Sequence, residues 1–201
     1  MKSRLITKVS ALLLLIIISI TMLSGCSKED IKNGNDDSEN IDFRGIPFGT
    51  KYSEAIELIE KDLEEQGYVM DKNEQADAYY NERWLVLYKN VKLYDYVAQI
   101  HLRFEIPSEN KDEKIPVSDD NKENSVLTHA SYTIESNDLN KCFQYFYDKL
   151  EEKYGKEYSS QQWLQRDSAC LIMNTGKYIS ISYEMIDWEK VNQNQSKNRG
   201  L

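Results

Sequence analysis

The chain has 201 residues, 40% of them hydrophobic, with 25 Lys and Arg against 34 Asp and Glu, a formal charge of −9. That length suits one core rather than several domains. The acidic balance argues against chains that hold nucleic acid or anionic headgroups by charge.

Lys2, Arg4 and Lys8 lead into an apolar run, residues 9–22, broken only by Ser and Thr. A basic lead and a short apolar stretch are the pattern of a secretory signal. An uncleaved membrane anchor followed by an accidental cysteine is the alternative, and the run is short for a span. Leu23-Ser24-Gly25-Cys26 follows at once and resembles the bacterial lipobox. The resemblance implies that residues 1–25 are a lipoprotein signal peptide, cleaved before Cys26. It further implies that a diacylglyceryl group on the Cys26 thiol tethers the chain to the extracytoplasmic face of a cell membrane. Cleavage takes away three basic residues and no acid, so −9 becomes −12. Membrane contact is then expected through the lipid alone. Cys142 and Cys170 are the remaining cysteines. An exported chain permits their bridging, while their apolar neighbours equally suit buried thiols.

Residues 26–40, the lipidated cysteine followed by SKEDIKNGNDDSEN, are polar and aperiodic and read as a disordered tether. Residues 188–201 have the same character and read as a loose tail. Residues 41–187 are left as a single domain.

The domain opens with FRGIPFGTKYSEAIELI, residues 43–59. A phosphate-binding loop needs four residues between its glycines and then Lys before Ser or Thr. Here Gly45 and Gly49 enclose three residues, and Thr50-Lys51 is the reverse order. The stretch therefore reads as a start of fold, with Phe43, Ile46 and Phe48 packing down and the glycines permitting a turn. Thr50 is placed to cap a helix carrying Tyr52, Ala55, Ile56, Ile59 and Leu63 on one stripe, ended by Gly67.

Residues 84–88 form a short apolar run. Residues 97–106 alternate, with Ala98, Ile100, Leu102, Phe104 and Ile106 inward and Gln99, His101, Arg103 and Glu105 outward. Residues 126–134 alternate similarly, with Val126, Ala130, Tyr132 and Ile134 as the apolar set. The long acidic connection between them is expected to be mobile. A second helix begins near Asn137 or Asp138, carries Leu139, Phe143, Phe146 and Leu150, and closes at Tyr154-Gly155. Strands follow at 162–165, 169–173 and 178–185, the last two joined by a tight hairpin at Asn174-Thr175-Gly176-Lys177. The plan is α+β, an antiparallel sheet with two amphipathic helices on one face. Trp84 and Trp163 each follow a helix ended by Gly and Tyr, a pattern that fits either a duplicated helix-plus-hairpin unit or chance.

With these residues in view, Phe43-x-Gly45-Ile46-Pro47-Phe48-Gly49-Thr50, the helix and the aromatic-rich strands resemble extracytoplasmic lipoproteins of Gram-positive anaerobes, mostly of unassigned function. More distantly, the chain is similar to small outer-membrane-assembly lipoproteins and β-lactamase-inhibitor-like modules, whose αββ units open with Gly-Ser/Thr-x-x-acid. Gly49, Thr50 and Glu54 approximate that start with one extra residue, and Gln66-Gly67-Tyr68 replaces the usual Leu-Gly-x-Pro. The resemblance covers about two thirds of the chain and implies a non-enzymatic module.

Chemistry-bearing patterns are sparse. His101 and His129, the only histidines, fall on the polar face near Gln99, Arg103, Glu105 and Ser131 if their strands pair. A metal would want a third ligand that the sequence does not signal, so two solvated imidazoles are the plainer reading. Neither cysteine has a nucleophile's context, there is no Gly-x-Ser-x-Gly, and the acidic run has no calcium-loop pattern. No cofactor is called for. Of the 14 tyrosines, Tyr79, Tyr80, Tyr88, Tyr94 and Tyr96 cluster in the first half, where they serve either as half-buried core or as a contact surface. The expected function is a lipid-anchored binding module that contacts protein through an exposed sheet face or this Tyr-rich surface. Its candidate contacts are Tyr88, Tyr94, Tyr96, Gln99, His101, Arg103 and His129. A cell-wall hydrolase using acidic residues and a spacer without ligand are the rival expectations.

Overall fold

A computed structural model describes residues 40–108 and 113–186. Residues 1–39, on which the expected signal peptide, Cys26 and most of the expected tether fall, and residues 187–201, which hold the expected tail, lie outside the described residues. In chain order the elements are α1 (Tyr52–Glu65), β1 (Lys72–Ala76), β2 (Trp84–Leu93), β3 (Tyr96–Glu105), β4 (Val126–Ile134), α2 (Leu139–Tyr154), β5 (Gln162–Gln165), β6 (Ser168–Asn174) and β7 (Ile179–Met185). All seven strands join one sheet in the order β1-β2-β3-β4-β7-β6-β5, and every neighbouring pair is antiparallel. The α+β plan read from the sequence is the observed one.

The strand order has an internal symmetry. Each helix precedes a meander, four-stranded β1-β2-β3-β4 or three-stranded β5-β6-β7, and the two meanders meet through their last strands, β4 and β7. Trp84 opens β2 and Trp163 lies in β5, and both are buried. Helix α1 packs on the first meander, where Tyr52 meets the Phe104 ring edge-on at 5.1 Å. Helix α2 contacts β6 and β7. Both apolar stripes face the same side of the sheet, so one continuous core forms there from Val86, Ile100, Leu102, Leu127, Ile172 and their neighbours. Each fully buried aliphatic or aromatic side chain in it contributes about 1.5–3 kcal/mol of transfer free energy.

The opening loop is stitched into this core. Phe43 and Ile46 exchange backbone hydrogen bonds at 3.1 and 3.0 Å. Arg44 and Gly45 between them have φ of 57° and 80°, the two positive values a two-residue hairpin of this kind requires. The amides that a phosphate would need are spoken for. Gly45 N–H donates to Asp42 Oδ1, Gly49 N–H to Leu127 O, Thr50 N–H to Pro47 O and Tyr52 N–H to Ser125 O. The loop is a start of fold, tied to β4 and, through Ile41 N–H donating to Ser168 Oγ at 2.6 Å, to β6.

Several local expectations differ from the structure. Thr50 does not cap α1. Its hydroxyl donates to Pro47 O at 2.7 Å, and the N-cap residue is Lys51, without a side-chain cap. Asp138 does cap α2, accepting from Lys141 N–H at 3.0 Å. On α2 the fully buried residues are Cys142, Phe146 and Leu150, while Leu139 and Phe143 pack at the margin. On β4 it is Leu127, not Val126, that enters the core. The register slips between Arg103 and Phe104, leaving Thr128 as the extra residue of a bulge that inverts the alternation before it. The described part of the acidic connection, residues 113–125, is fixed rather than loose. Val117 is buried and its N–H donates to Asn81 O at 2.8 Å. Lys122 pairs with Glu74 at 2.9 Å and sits 4.7 Å over the Trp84 ring. Cys142 and Cys170 are both buried free thiols, and burial pushes Cys170 up to about 12.

Candidate functional site

Because a strand points alternate residues to opposite faces, the side of the sheet turned away from the helices is built from the residues between the core positions. Register lines them up in rows. One row runs Leu85, Arg103, His129, Glu184, Ala169, Leu164. The next runs Leu87, His101, Ser131, Ser182, Leu171, Gln162. A third runs Gln99, Thr133, Ser180, Met173. No described helix covers this face. Hydroxyls line its centre along β4 and β7, with leucines on both flanks.

His101 and His129 are diagonal neighbours across β3 and β4, as the pairing of His101 with Ser131 requires. His101 Nε2 and His129 Nδ1 are buried atoms without a hydrogen-bond partner among the described residues. Burial, with the neighbouring His129 adding to it, holds His101 below the ordinary imidazole pKa, so the ring is neutral at pH 7. His129 Nδ1 lies 3.9 Å from Glu184 Oε2, a distance for pairing with a protonated ring but too long for a hydrogen bond. That neighbour nevertheless keeps Glu184 below the usual carboxylate range. Beside them, Arg83 and Arg103 share one carboxylate, each with its Nε 3.2 Å from Glu105 Oε1. Burial lowers the Arg103 pKa from its high ordinary value without discharging it.

The structure divides the candidate contacts. Gln99, His101, Arg103 and His129 fall together on the open face, next to Ser131, as their alternation implied. Tyr88 does not join them. It is fully buried under α1, and its hydroxyl donates to Glu60 Oε1 at 3.2 Å. Tyr94 and Tyr96 lie on the helix side, with ring centroids 5.8 and 5.6 Å from that of Tyr145 on α2. The Tyr-rich first half is therefore not one surface. The sequence reading overlooked the contribution of β7: in Ile179-Ser180-Ile181-Ser182-Tyr183 the apolar residues are buried and the serines line the open face. That alternation was visible, but its pairing with β4 was not.

Among the described residues, no group of three or more His, Cys, Asp or Glu side chains could hold a metal ion, and no helix is long and apolar enough to cross a membrane. Comparison of the chain with protein-family models, with curated proteins and with solved structures finds no match.

Proposed function

We propose that this chain is a lipid-anchored, extracytoplasmic interaction module that docks a protein partner on the open face of its sheet. The anchor rests on the signal-like leader and Cys26 in its lipobox-like setting. The docking role rests on one observation above all: a sheet face that no described helix covers, with hydroxyls along its centre on β4 and β7 and leucines on both flanks. Six strand spacings of about 4.8 Å make the face about 30 Å wide, and β3 with its ten residues is about as long. That is the scale of the ~800 Å² per partner seen in stable complexes. Arg83 and Arg103 are balanced by Glu105 and Glu184, so the matching surface is one of hydrogen bonds and small apolar contacts rather than of charge.

Two experiments test the two parts. Cys26→Ser should abolish incorporation of labelled fatty acid and release the chain from the membrane fraction; an unchanged distribution would overturn the anchor. A photo-crosslinking residue at Ser182, on the open face, should give a discrete protein adduct in cells that Ser131→Arg removes. The same residue at Glu57, exposed on α1, should not give that adduct. Equal adducts from both faces, or turnover of cell-wall substrate by the purified chain, would sink the docking role.

A further inference from the structure

A second feature lies on the opposite side of the sheet, where the two helix-plus-meander units meet. Each helix covers its own meander, which leaves a seam above β4 and β7. The opening loop fills part of it, with Phe43 packed on Tyr132 at 5.0 Å and on Tyr183 at 5.4 Å between ring centroids. The rest is a cleft of about 230 Å³ between that loop, the β2–β3 turn and α2. Its floor is Tyr132, Ile181 and Tyr183, and Tyr94 and Phe146 form an aromatic wall with centroids 6.2 Å apart.

Three cations line this cleft in a chain that is otherwise acidic: Arg44 from the loop, and Lys149 and Lys153 one turn apart on α2. Arg44 is the fixed one. Its side chain is only 11% exposed, and its Nη1 donates to the Tyr132 hydroxyl at 2.9 Å while its Nε and Nη2 engage Asp62 of α1. These contacts use three of the five guanidinium N–H groups and leave two. The Tyr132 hydroxyl accepts from Arg44 and so retains its own proton to donate. The lysines are adjustable. Lys149 pairs with Glu152, which is 67% exposed, and Lys153 stands 4.0 Å from Asp42. Exposed pairs of this kind hold their partners weakly. Asp42 is the one carboxylate in the lining and Asp62 stands behind Arg44. Each cation thus has a carboxylate partner, Asp62, Glu152 and Asp42 in turn, and a bound carboxylate would take the two lysines over from their exposed partners Glu152 and Asp42.

We propose that the seam binds a small amphiphilic carboxylate, its apolar body against Tyr94, Phe146 and Tyr183 and its head group at Arg44, with Lys149 and Lys153 closing over it. An aromatic wall beside a held guanidinium and a free phenol proton is what a monoanion with an apolar body requires. A bare, strongly hydrated anion would gain nothing from the rings. This site is on the helix side and is independent of the docking face, so either can fail without the other.

The test is titration of the isotope-labelled full chain with 4-phenylbutyrate, its neutral amide and inorganic phosphate, following the backbone amide resonances of Arg44, Tyr94, Lys149 and Tyr183. Saturable shifts with 4-phenylbutyrate are expected, with binding at least about tenfold weaker for the amide. The double variant Lys149→Gln, Lys153→Gln changes two exposed side chains and keeps the fold. It should weaken the carboxylate about fivefold and leave the amide unchanged. The proposal is overturned by absence of saturation up to about 20 mM, by equal binding of carboxylate and amide, by an unaffected double variant, or by phosphate binding as tightly as 4-phenylbutyrate.

Discussion

Residues one position apart on β4 and β7 occupy different media. Tyr132, Ile134, Ile181 and Tyr183 are buried under the helices and the opening loop, while Ser131, Thr133, Ser180 and Ser182, between and beside them, remain half-buried on a face that no described helix covers. The covered face does the work of folding, since only there does apolar surface leave water on both sides. The open face carries hydroxyls, two histidines and paired charges, a composition that adds little to stability and so is free to serve recognition. This contrast predicts that large stability losses come from the covered side and small ones from the open side.

The largest expected loss is at Phe104, fully buried between β3 and α1. Phe104→Ala should cost about 3–5 kcal/mol in denaturant unfolding, from lost transfer energy and the cavity left behind. Next is Lys122, which holds the connection before β4 against the sheet. Its ammonium bridges Glu74 and Asp119 and lies over the Tyr52 and Trp84 rings. Lys122→Ala should cost about 1–2 kcal/mol, since it leaves part-buried Glu74 with the Tyr52 hydroxyl but without its cation. Burial favours the neutral form of Glu74, but hydrogen bonds from Tyr52 and Lys122 outweigh it and hold the pKa below 4.5. The contribution is therefore present above 4.5 and lost as pH falls through the lower folded value, so the difference between Lys122→Ala and the parent should shrink in acid.

The legibility of the fold follows the same division. Both helices and the strands from β3 onward announce themselves by apolar periodicity, because each buries one face and leaves the other wet. Strand β1, Lys-Asn-Glu-Gln-Ala, was missed because it is an edge strand with little burial on either side and no pattern to betray it. Val126 was assigned inward because alternation cannot foresee the Thr128 bulge. Thr50 was assigned as a cap because its hydroxyl could reach the helix, whereas the tighter local bond to Pro47 O takes it. Tyr88 was offered as a contact because sequence does not say which face of β2 lies under α1. The grouping of Gln99, His101, Arg103 and His129 was readable from alternation alone. The cleft was not, since it joins residues from Asp42 to Tyr183 that only the meeting of β4 and β7 brings together.

A smaller effect, and one visible only in its pH dependence, is expected at His101. Its neighbours on the open face by register are His129, Arg103 and, beyond β4, Glu184, and burial keeps it below its ordinary value of 6.5. A base whose folded pKa is depressed contributes stability that is fully present above 6.5 and is lost as pH falls through the folded value. His101→Gln should therefore leave neutral-pH stability nearly unchanged and flatten the loss measured about one pH unit below that value. An equal acid slope in both proteins would mean that His101 is not a source of the acid sensitivity.

The smallest effect sharpens the comparison most. Ser182 and Ile181 are adjacent on β7 and share its hydrogen bonding, yet Ile181 pairs with Tyr132 inside the core and Ser182 with Ser131 outside it. The hydroxyl of Ser182 makes one weak contact, 3.4 Å to Ser180 Oγ. Ser182→Ala should thus change stability by less than about 0.5 kcal/mol, while Ile181→Ala costs about 2–5 kcal/mol. If Ser182→Ala proved as costly as its neighbour, the open face would be holding the fold together, and a surface under that constraint would be a poor one to reserve for a partner.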